Sequence, residues 1–403
     1  MTSTHRQAVG APAELDHCPI MPTYGPPPVQ FVRGAGAELW DRHDHRYLDL
    51  LSGLAVTSLG HAHPAVAEAL AAQAQRLLHV SNLFATERNG EVALTLYRLI
   101  DAGPGQVFFC NSGAEANECA LKLARRVGGR GRHVVVSALQ SFHGRTLATL
   151  HATGQPAKWE VFQPLPEGFR HVPWNDLAEL ERALDDTVAA VLLETVQGEG
   201  GVNPASGDYL AGVRRLCDER GILFMVDEVQ TGLARTGRWF GFQHFDVRPD
   251  VVTMAKALGN GVPIGACWAR ADVAAAFQPG DHATTFGGQP LATAAARAVL
   301  ATMEAMDAPA VARERGAALT EVVGALTGVA EVRGLGLLLA AELDPGIDAR
   351  AVAAACLERG LVVNAVTSSA LRFAPPLVLT DDQIAEAAQI LGAVLADVGR
   401  GPS

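Results

Sequence analysis

The middle of this 403-residue chain alternates short apolar runs with amphipathic stretches of helical spacing. Because parallel strands need a crossover between them, this alternation is typical of an α/β fold, a mostly parallel sheet covered by helices. We expect strands at 106–110, 133–137, 189–195, 222–228 and 250–255, and helices at about 114–126, 176–185 and 208–220. Together these elements predict one large domain.

The two ends of the chain have a different pattern. Residues 37–54 predict a small hairpin around the polar turn DRHDH, and a strand pair is expected near 330–343 between helices. A final helix should begin at Asp381, because Thr380 and Gln383 have the spacing of a capping box. We expect both ends to join in one smaller α+β domain. The chain would then consist of an N-terminal arm with hairpin, a large domain and a C-terminal part, at 1–65, 66–295 and 296–403.

Composition argues against several classes of protein. The chain is 49% hydrophobic but has no apolar stretch long enough to cross a bilayer, and its start lacks a secretory signal, which predicts a cytoplasmic location. A net charge of -11 argues against binding to nucleic acid. The cysteines are far apart without a C-x-x-C pair, which predicts reduced, buried thiols. They are Cys18, Cys110, Cys119, Cys217, Cys267 and Cys356.

Lysine is rare in this chain. Of 32 basic residues only three are lysine, namely Lys122, Lys158 and Lys256. Arginine keeps its proton near neutral pH, whereas a desolvated lysine can become the neutral amine that attacks a carbonyl group. Lys256 follows the apolar run VVTMA, at a strand end where α/β sheets bind ligands. It is our candidate for a Schiff-base lysine, and the alternative is a strand-end lysine that extends into solvent.

Two carboxylates end another apolar strand. In ILFMVDEV, Asp227 and Glu228 lie at the strand end. A carboxylate buried there needs a cation, and the protonated nitrogen of a pyridine ring is such a cation. A helix cap or an ordinary salt bridge is the alternative role for Asp227. Val229 and Gln230 follow, where the first could pack under a cofactor ring and the second could contact its phenolic oxygen.

The stretch FFCNSGAEANE predicts a strand, a tight turn and a helix. Ser112, Gly113 and Ala114 would lie at the start of this helix, where their backbone N–H groups form an anion site suited to a phosphate group. Ser112 and Glu115 also have capping-box spacing, so a purely structural role stays open.

Three further motifs contain candidate ligand-binding residues. In SFHGRT, Phe142 could stack on a cofactor ring and Arg145 could bind a carboxylate through two hydrogen bonds, with core packing and a surface ion pair as the alternatives. Arg372 in LRFAPPLV and Glu199 in VQGEGG have the same two interpretations. The H-x-H pairs lie in turns without cysteine, so we predict no metal site. Phosphate-loop, G-x-G-x-x-G and G-x-S-x-G motifs are absent from the sequence.

In combination, these motifs resemble the class III, fold type I pyridoxal-phosphate aminotransferases, and within them the acetylornithine and ornithine aminotransferases. The resemblance runs from about Tyr24 to Leu377 through NSGAEANE, SFHGRT, VQGEGG, VDEVQTG, AKALGNGVPIGA, TTFGG and LRFAPPLV. It implies a seven-stranded, mostly parallel sheet in the large domain. It also implies the cofactor pyridoxal 5'-phosphate and a homodimer with active sites at the interface.

The resemblance implies a role for each cofactor-binding residue. Lys256 would form the Schiff base with the cofactor, Asp227 would bind the pyridine nitrogen, and Phe142 would stack on the ring. Gly113 and Ala114 would hold the phosphate group.

The resemblance extends to residues that contact the substrate or the neighbouring subunit. Thr285 would reach the phosphate of the neighbouring subunit. Arg145 would bind the distal carboxylate of the donor or of 2-oxoglutarate, and Arg372 the α-carboxylate of the oxoacid. Glu199 would pair with Arg372 when no oxoacid is bound. Tyr24 matches a position where ornithine-type members keep a tyrosine, which favours an ornithine derivative.

The reaction expected from the resemblance is transfer of the terminal amino group of N2-acetylornithine to 2-oxoglutarate, a step of arginine biosynthesis. Ornithine, succinylornithine and 4-aminobutyrate are alternative donors, and a mutase or racemase on the same scaffold and a non-catalytic protein are rival functions. The sequence departs from the family pattern at four positions, none of which has a charged or covalent role. They are Thr195 in place of proline, Gln289 in place of asparagine, and Ala234 and Asn260 where glycine is common.

Overall fold

The computed structural model describes residues 20–398, and its largest sheet has seven strands. Across the sheet these strands are Gly105–Cys110, Gly265–Arg270, Val251–Met254, Leu223–Asp227, Val188–Glu194, Val134–Ala138 and Phe169–Val172. Gly265–Arg270 is antiparallel to both neighbours, and the remaining neighbouring pairs are parallel. The predicted α/β fold with a mostly parallel seven-stranded sheet is therefore confirmed.

Helices cover the sheet largely where the apolar stripes predict them. The helix Gly113–Gly128 buries a stripe that includes Ala116, Ala120 and Leu123. Leu177–Ala183 and Gly207–Arg220 match the other two predicted helices of the central region. Further helices up to residue 305 are Ser52–Ala55, Pro64–Ala74, Glu87–Ile100, Leu147–Ala152, Pro156–Trp159, Ala271–Ala274 and Pro290–Ala305, with 3-10 turns at Glu160–Phe162, Gly241–His244 and Lys256–Leu258.

Two strands of the large sheet were not predicted from the sequence. Phe169–Val172 is a short edge strand with two polar residues, so its apolar pattern is weak. Gly265–Arg270 begins with Gly, Ala and Cys, which have little strand preference. Glycine is needed at 265 because a Cβ there would lie 2.5 Å from the carbonyl oxygen of Ser112. Close approach to the neighbouring turn therefore explains why this strand begins with such a small residue.

The two ends of the chain meet in a four-stranded sheet. The predicted hairpin is present as Glu38–Asp41 paired with Arg46–Asp49, and Phe31–Ala35 adds an edge strand that was not predicted. Arg46–Asp49 also pairs in parallel with Leu361–Val362 from the C-terminal part. This pairing joins residues more than 300 positions apart. The exact domain bounds at 65 and 295 stay a prediction.

A second four-stranded sheet belongs to the C-terminal part. Its strands, in order, are Val329–Leu335, Leu338–Leu343, Ala370–Phe373 and Asn364–Ala365, so the strand pair near 330–343 is confirmed. The helices around it are Ala308–Gly324, Ala349–Glu358 and Asp381–Val398, and Val196–Gln197 pairs with Asn203–Pro204 in a separate two-stranded sheet. The capping box forms as expected, because the N–H of Thr380 and the N–H of Gln383 each bond to the other's side chain.

A buried arginine ties the three parts of the chain together. Arg235 donates hydrogen bonds to the carbonyl oxygens of Leu337 at 3.1 Å and Pro375 at 2.5 Å, and to the hydroxyl of Ser58 at 2.8 Å. Desolvation lowers the pKa of Arg235 to about 10, so the guanidinium stays charged at neutral pH. These bonds anchor the C-terminal sheet, which contains Arg372, against the large sheet.

Two predictions from composition concerned the state of the cysteines and the absence of a membrane span. Five cysteines are free and buried as predicted, and they are Cys110, Cys119, Cys217, Cys267 and Cys356. Cys18 lies outside the described residues. Within residues 20–398, no helix combines the length and the apolar character that a bilayer crossing requires.

The departures from the family pattern have structural consequences. Ala234 and Asn260 have φ values of 69° and 47°, in the left-handed region that favours glycine. Gln289 caps the helix that follows it, because its side chain accepts the N–H of Leu291 at 2.9 Å. Thr195 is fully buried, and its hydroxyl has no hydrogen-bond partner among residues 20–398.

Candidate active site

A cavity of about 400 Å³ lies at the carboxyl ends of the central parallel strands. At this edge Asp227 is level with Glu194 on one neighbouring strand and with Thr253 on the other. The volume falls within the roughly 300–1,000 Å³ that small-molecule sites usually have. Ten of the predicted site residues line the cavity, namely Ser112, Gly113, Ala114, Phe142, Arg145, Glu199, Asp227, Val229, Gln230 and Lys256.

Lys256 lies in the cavity wall, two residues after the strand Val251–Met254. Its backbone has a left-handed φ of 42°, an uncommon conformation for a residue other than glycine. Removal from water lowers the pKa of Lys256 to about 8, with Glu199 opposing the shift and Arg372 adding to it. The neutral amine is therefore far more populated at neutral pH than on a surface lysine, whose pKa is about 10.4.

Asp227 is buried and held by three donors. Its Oδ2 accepts hydrogen bonds from Nδ1 of His143 at 2.8 Å and from the amide of Asn117 at 2.7 Å. Its Oδ1 accepts the N–H of Val229 at 3.0 Å. Since a carboxylate only accepts, the His143 contact places a proton on Nδ1. The carboxylate is thus oriented before any ligand binds.

Asn117 connects this carboxylate to the neighbouring elements. Its amide nitrogen also donates to the carbonyl oxygen of His143 at 2.8 Å, and its oxygen accepts the hydroxyl of Thr253 at 2.7 Å. Neither Asn117, His143 nor Thr253 was predicted from the sequence. Asn117 lies one helical turn after Gly113, on the same helix face, and that spacing was the available signal.

Two more carboxylates lie near Asp227, and only one of them faces the cavity. Glu194, also not predicted, lines the cavity and accepts the N–H of Phe142 at 3.2 Å. Desolvation and the nearby charge of Asp227 raise the pKa of Glu194 well above its usual value, which favours its neutral form. Glu228 is bonded away from the cavity, where it accepts the hydroxyl of Thr231 and the N–H groups of residues 241 and 242. Asp227 is therefore the anchored carboxylate of this cavity.

The helix start has the geometry of an anion site. Ser112 caps the helix, since its hydroxyl accepts the N–H of Glu115 at 3.2 Å. The reciprocal half of the predicted capping box is missing, because Glu115 instead accepts the N–H of Asn111 at 2.6 Å. The first N–H groups of a helix have no intrahelical acceptor and carry the positive end of its dipole. Those of Gly113 and Ala114 border the cavity.

Gly113 has a packing role beside the predicted one. A Cβ at this position would lie 2.8 Å from both methyl carbons of Val229. Glycine is therefore required for Val229 to approach the helix start, whatever group binds there. Gly113 follows the turn after one strand and Val229 follows the end of another, and both residues line the cavity.

Arg372 and Glu199 form an ion pair next to the cavity, in which the arginine is buried and the side chain of Glu199 is 28% exposed. Nη1 of Arg372 lies 2.5 Å from Oε1 of Glu199, and Nε donates to Asn364 at 3.0 Å. Arg372 is only 1% exposed. Burial alone would raise the pKa of Glu199, but the charge and hydrogen bond of Arg372 lower it below its usual value. Gln230 also contacts Arg372, at 3.4 Å.

Tyr24 and Thr285 do not reach this cavity within the chain. Tyr24 is 90% exposed. Thr285 lines a separate surface cavity next to Phe286, which is 58% exposed. Their roles at the substrate and at a neighbouring subunit stay predictions.

Comparison with known proteins decides the family. The sequence model of the family "Aminotransferase class-III" matches residues 20–395. The chain is a class-III aminotransferase. The acetylornithine aminotransferase of Corynebacterium efficiens is 50% identical to this aminotransferase, over 94% of this chain and 95% of the relative. The predicted enzyme class is confirmed.

Solved structures of aminotransferases superpose closely on this one. The N-acetylornithine aminotransferase of Stenotrophomonas maltophilia K279a has a TM-score of 0.82 and 36% identity, covering 94% of this chain and 98% of its own. An ornithine aminotransferase of Toxoplasma gondii, in a structure with partial occupancy of PLP at the active site, has a TM-score of 0.90 and 34% identity, covering 96% and 94%. Class-III aminotransferases use pyridoxal phosphate, which confirms the predicted cofactor.

The residues of this class-III aminotransferase fit that cofactor. A lysine with lowered pKa and a buried, anchored aspartate line the same cavity. The helix start that borders it suits a phosphate group. Pyridoxal phosphate requires these three features, an amine for its aldehyde, an acid for its ring nitrogen and donors for its phosphate.

Proposed function

We propose that this class-III aminotransferase moves the terminal amino group of N2-acetylornithine to 2-oxoglutarate, giving N-acetylglutamate 5-semialdehyde and glutamate. The observation that carries this proposal is the ion pair between the buried Arg372 and the half-buried Glu199 beside the cavity of Lys256. The names of the relatives support acetylornithine as donor. A cytoplasmic location and a place in arginine biosynthesis belong to the same proposal.

The Arg372–Glu199 pair suits an enzyme that alternates between two kinds of substrate. A donor that reacts at its terminal amine has no carboxylate at that carbon, so Glu199 can stay on Arg372. 2-Oxoglutarate has a carboxylate next to its reacting carbon, which would displace Glu199 and bind Arg372 through two hydrogen bonds. Arg145 would bind the distal carboxylate in both cases. One cavity could thus accept both substrates in turn.

Proton transfer would be the task of Lys256. Bound pyridoxal phosphate supplies a ring that withdraws electrons from the substrate carbon. The anchored charge of Asp227 would keep the ring nitrogen protonated, with His143 and Asn117 fixing its direction. The neutral Nζ of Lys256 would take the proton from the substrate carbon that carries the amino group. The roles of Val229 and Phe142 would be to pack on the two ring faces.

We propose a homodimer as well. Several large apolar side chains are exposed on the surface that also contains Thr285. They are Leu83 at 86%, Phe84 at 69% and Phe286 at 58% exposure. Exposed apolar side chains that cluster in this way usually mark an interface. A second copy on this surface would bring its Thr285 towards another active site.

A panel of amino donors tests the proposed function. Purified enzyme is incubated with 2-oxoglutarate and each of N2-acetylornithine, ornithine, succinylornithine and 4-aminobutyrate, and glutamate is measured. We expect the highest kcat/KM for N2-acetylornithine. A higher kcat/KM for another donor would show that this donor is the substrate instead. Turnover without any oxoacid would favour a mutase or racemase.

Replacing Arg372 with lysine is expected to raise the KM for 2-oxoglutarate about tenfold. Lysine keeps the charge that faces Glu199 but loses the planar group that binds a carboxylate through two bonds. The rate of the half-reaction with the donor should change less than about twofold, because Glu199 keeps a cationic partner. Arg315→Lys, on the surface, is the matched control. Equal losses in both half-reactions would contradict the assigned role.

The lowered pKa of Lys256 predicts how the apoprotein takes up its cofactor. A lysine with a lowered pKa gains its neutral, reactive form at lower pH than a free amine. The rate of covalent capture of pyridoxal phosphate should rise about tenfold per pH unit below about 8 and then level off. Stopped-flow absorbance would measure it, with N2-acetyllysine as the reference amine. A rate that keeps rising to pH 10, as for the reference, would contradict the lowered pKa.

A further inference from the structure

Lys158 is the one lysine besides Lys256 that lies at the active site. Its Nζ is 5.2 Å from the centre of the Phe142 ring, and the guanidinium carbon of Arg145 is 5.6 Å from the same centre. Two cations therefore share one ring at the cavity wall. Such contacts attract each cation to the ring but leave the repulsion between the two cations in place.

The position of Lys158 is well defined by its neighbours. It belongs to the short helix Pro156–Trp159, which packs next to the SFHGRT stretch. The indole N–H of Trp159 donates to the carbonyl oxygen of Thr153 at 3.0 Å, and the amide of Gln155 donates to that of Ser141 at 2.9 Å. These bonds fix the short helix, and with it the backbone of Lys158, beside the SFHGRT stretch.

Neither cation has a carboxylate partner within 4.0 Å in residues 20–398. Partial burial lowers the pKa of Lys158, and the charge of Arg145 acts in the same direction, while Glu199 opposes it. The half-buried ammonium of Lys158 and the exposed guanidinium of Arg145 therefore make this part of the cavity wall positively charged, which attracts a carboxylate of a ligand.

We propose that Lys158 is a specificity-determining residue that acts together with Arg145 on the end of the substrate distal to the reacting amine. This inference rests on the proposed function. The two cations attract the distal carboxylate, and they repel a free ammonium group beside it. Donors whose α-amine is acylated therefore bind better than donors with a free α-ammonium group.

Binding of glutarate, a five-carbon dicarboxylate, tests the charge of Lys158 without relying on the donor. Calorimetry on the holoenzyme would compare wild type with Lys158→Met, Lys158→Arg and the control Lys122→Met. We expect about fivefold weaker binding for Lys158→Met only, which corresponds to the loss of one partly exposed charge contact at the upper end of its usual range. Unchanged binding by Lys158→Met, or an equal loss in Lys158→Arg, would overturn the proposal.

Donor kinetics separate this inference from the proposed function. In Lys158→Met, kcat/KM for N2-acetylornithine should fall about fivefold through a higher KM. N-acetyl-1,4-diaminobutane, which lacks the carboxylate, should react as with wild type. The preference for N2-acetylornithine over ornithine should also fall. An equal loss for the donor without carboxylate would overturn the role of Lys158. If wild type fails to convert N2-acetylornithine, the proposed function fails, and the glutarate measurement still decides the role of Lys158.

Discussion

Replacing Lys256 with alanine is expected to lower transamination by about 10⁴-fold or more and to abolish the visible absorption of the lysine–cofactor adduct. The amine of Lys256 lines the cavity and has a pKa of about 8, so it is the group best suited both to bind the aldehyde and to move the proton. General acid–base catalysis alone typically contributes 10²- to 10⁴-fold, and loss of the covalent attachment adds to this.

Two controls make the Lys256 result specific. Lys122→Ala, at a surface lysine, should retain both activity and absorption. A small primary amine added to Lys256→Ala should restore part of the activity, because it can replace the missing base. Wild-type activity in the alanine variant would contradict the assignment, and so would a loss of absorption in Lys122→Ala.

Replacing Asp227 with asparagine is expected to lower kcat about 10³-fold, which corresponds to about 4 kcal/mol of transition-state stabilisation. Asparagine keeps the shape of the side chain, but it removes the negative charge from the cavity and keeps only one of the two oxygens that accept hydrogen bonds. The ring nitrogen would lose its anionic partner and the ring much of its electron-withdrawing power. Single-turnover measurement of the donor half-reaction would detect this directly.

Glu228→Gln is the matched control for Asp227→Asn. Glu228 is the neighbouring carboxylate, but it bonds to Thr231 and to backbone N–H groups away from the cavity. Burial raises the pKa of Glu228 to about 7, so glutamine removes less negative charge here than asparagine does at 227, although its amide nitrogen replaces one acceptor of a backbone N–H group. We expect kcat within about threefold of wild type. If both variants lose activity equally, the charge of Asp227 has no special role.

The sequence predicted the parts of the site whose position follows from local rules. Asp227 ends an apolar strand and Lys256 follows another by two residues, and the carboxyl ends of parallel strands lie at one edge of a sheet. Gly113 starts a helix directly after a strand. Each of these positions could be inferred from a short segment alone, and the family resemblance supplied the chemistry.

The residues that were not predicted depend on contacts between distant segments. Asn117, His143 and Thr253 come from a helix, a loop and a strand that lie far apart in the sequence, and their hydrogen bonds connect only in the folded chain. Glu194 looks like an ordinary strand end until its burial is known. Likewise Lys158 lies on a four-residue helix whose sequence gives no sign of the Phe142 ring beside it.

The claim on which the account depends is that Lys256 is the lysine that carries pyridoxal phosphate. Borohydride reduction of the holoenzyme would fix the lysine–cofactor bond, and peptide mass spectrometry would locate it. With only three lysines in the chain, the assignment is unambiguous. We expect the label on the peptide that contains Lys256. A label on Lys122 or Lys158 instead would contradict the account.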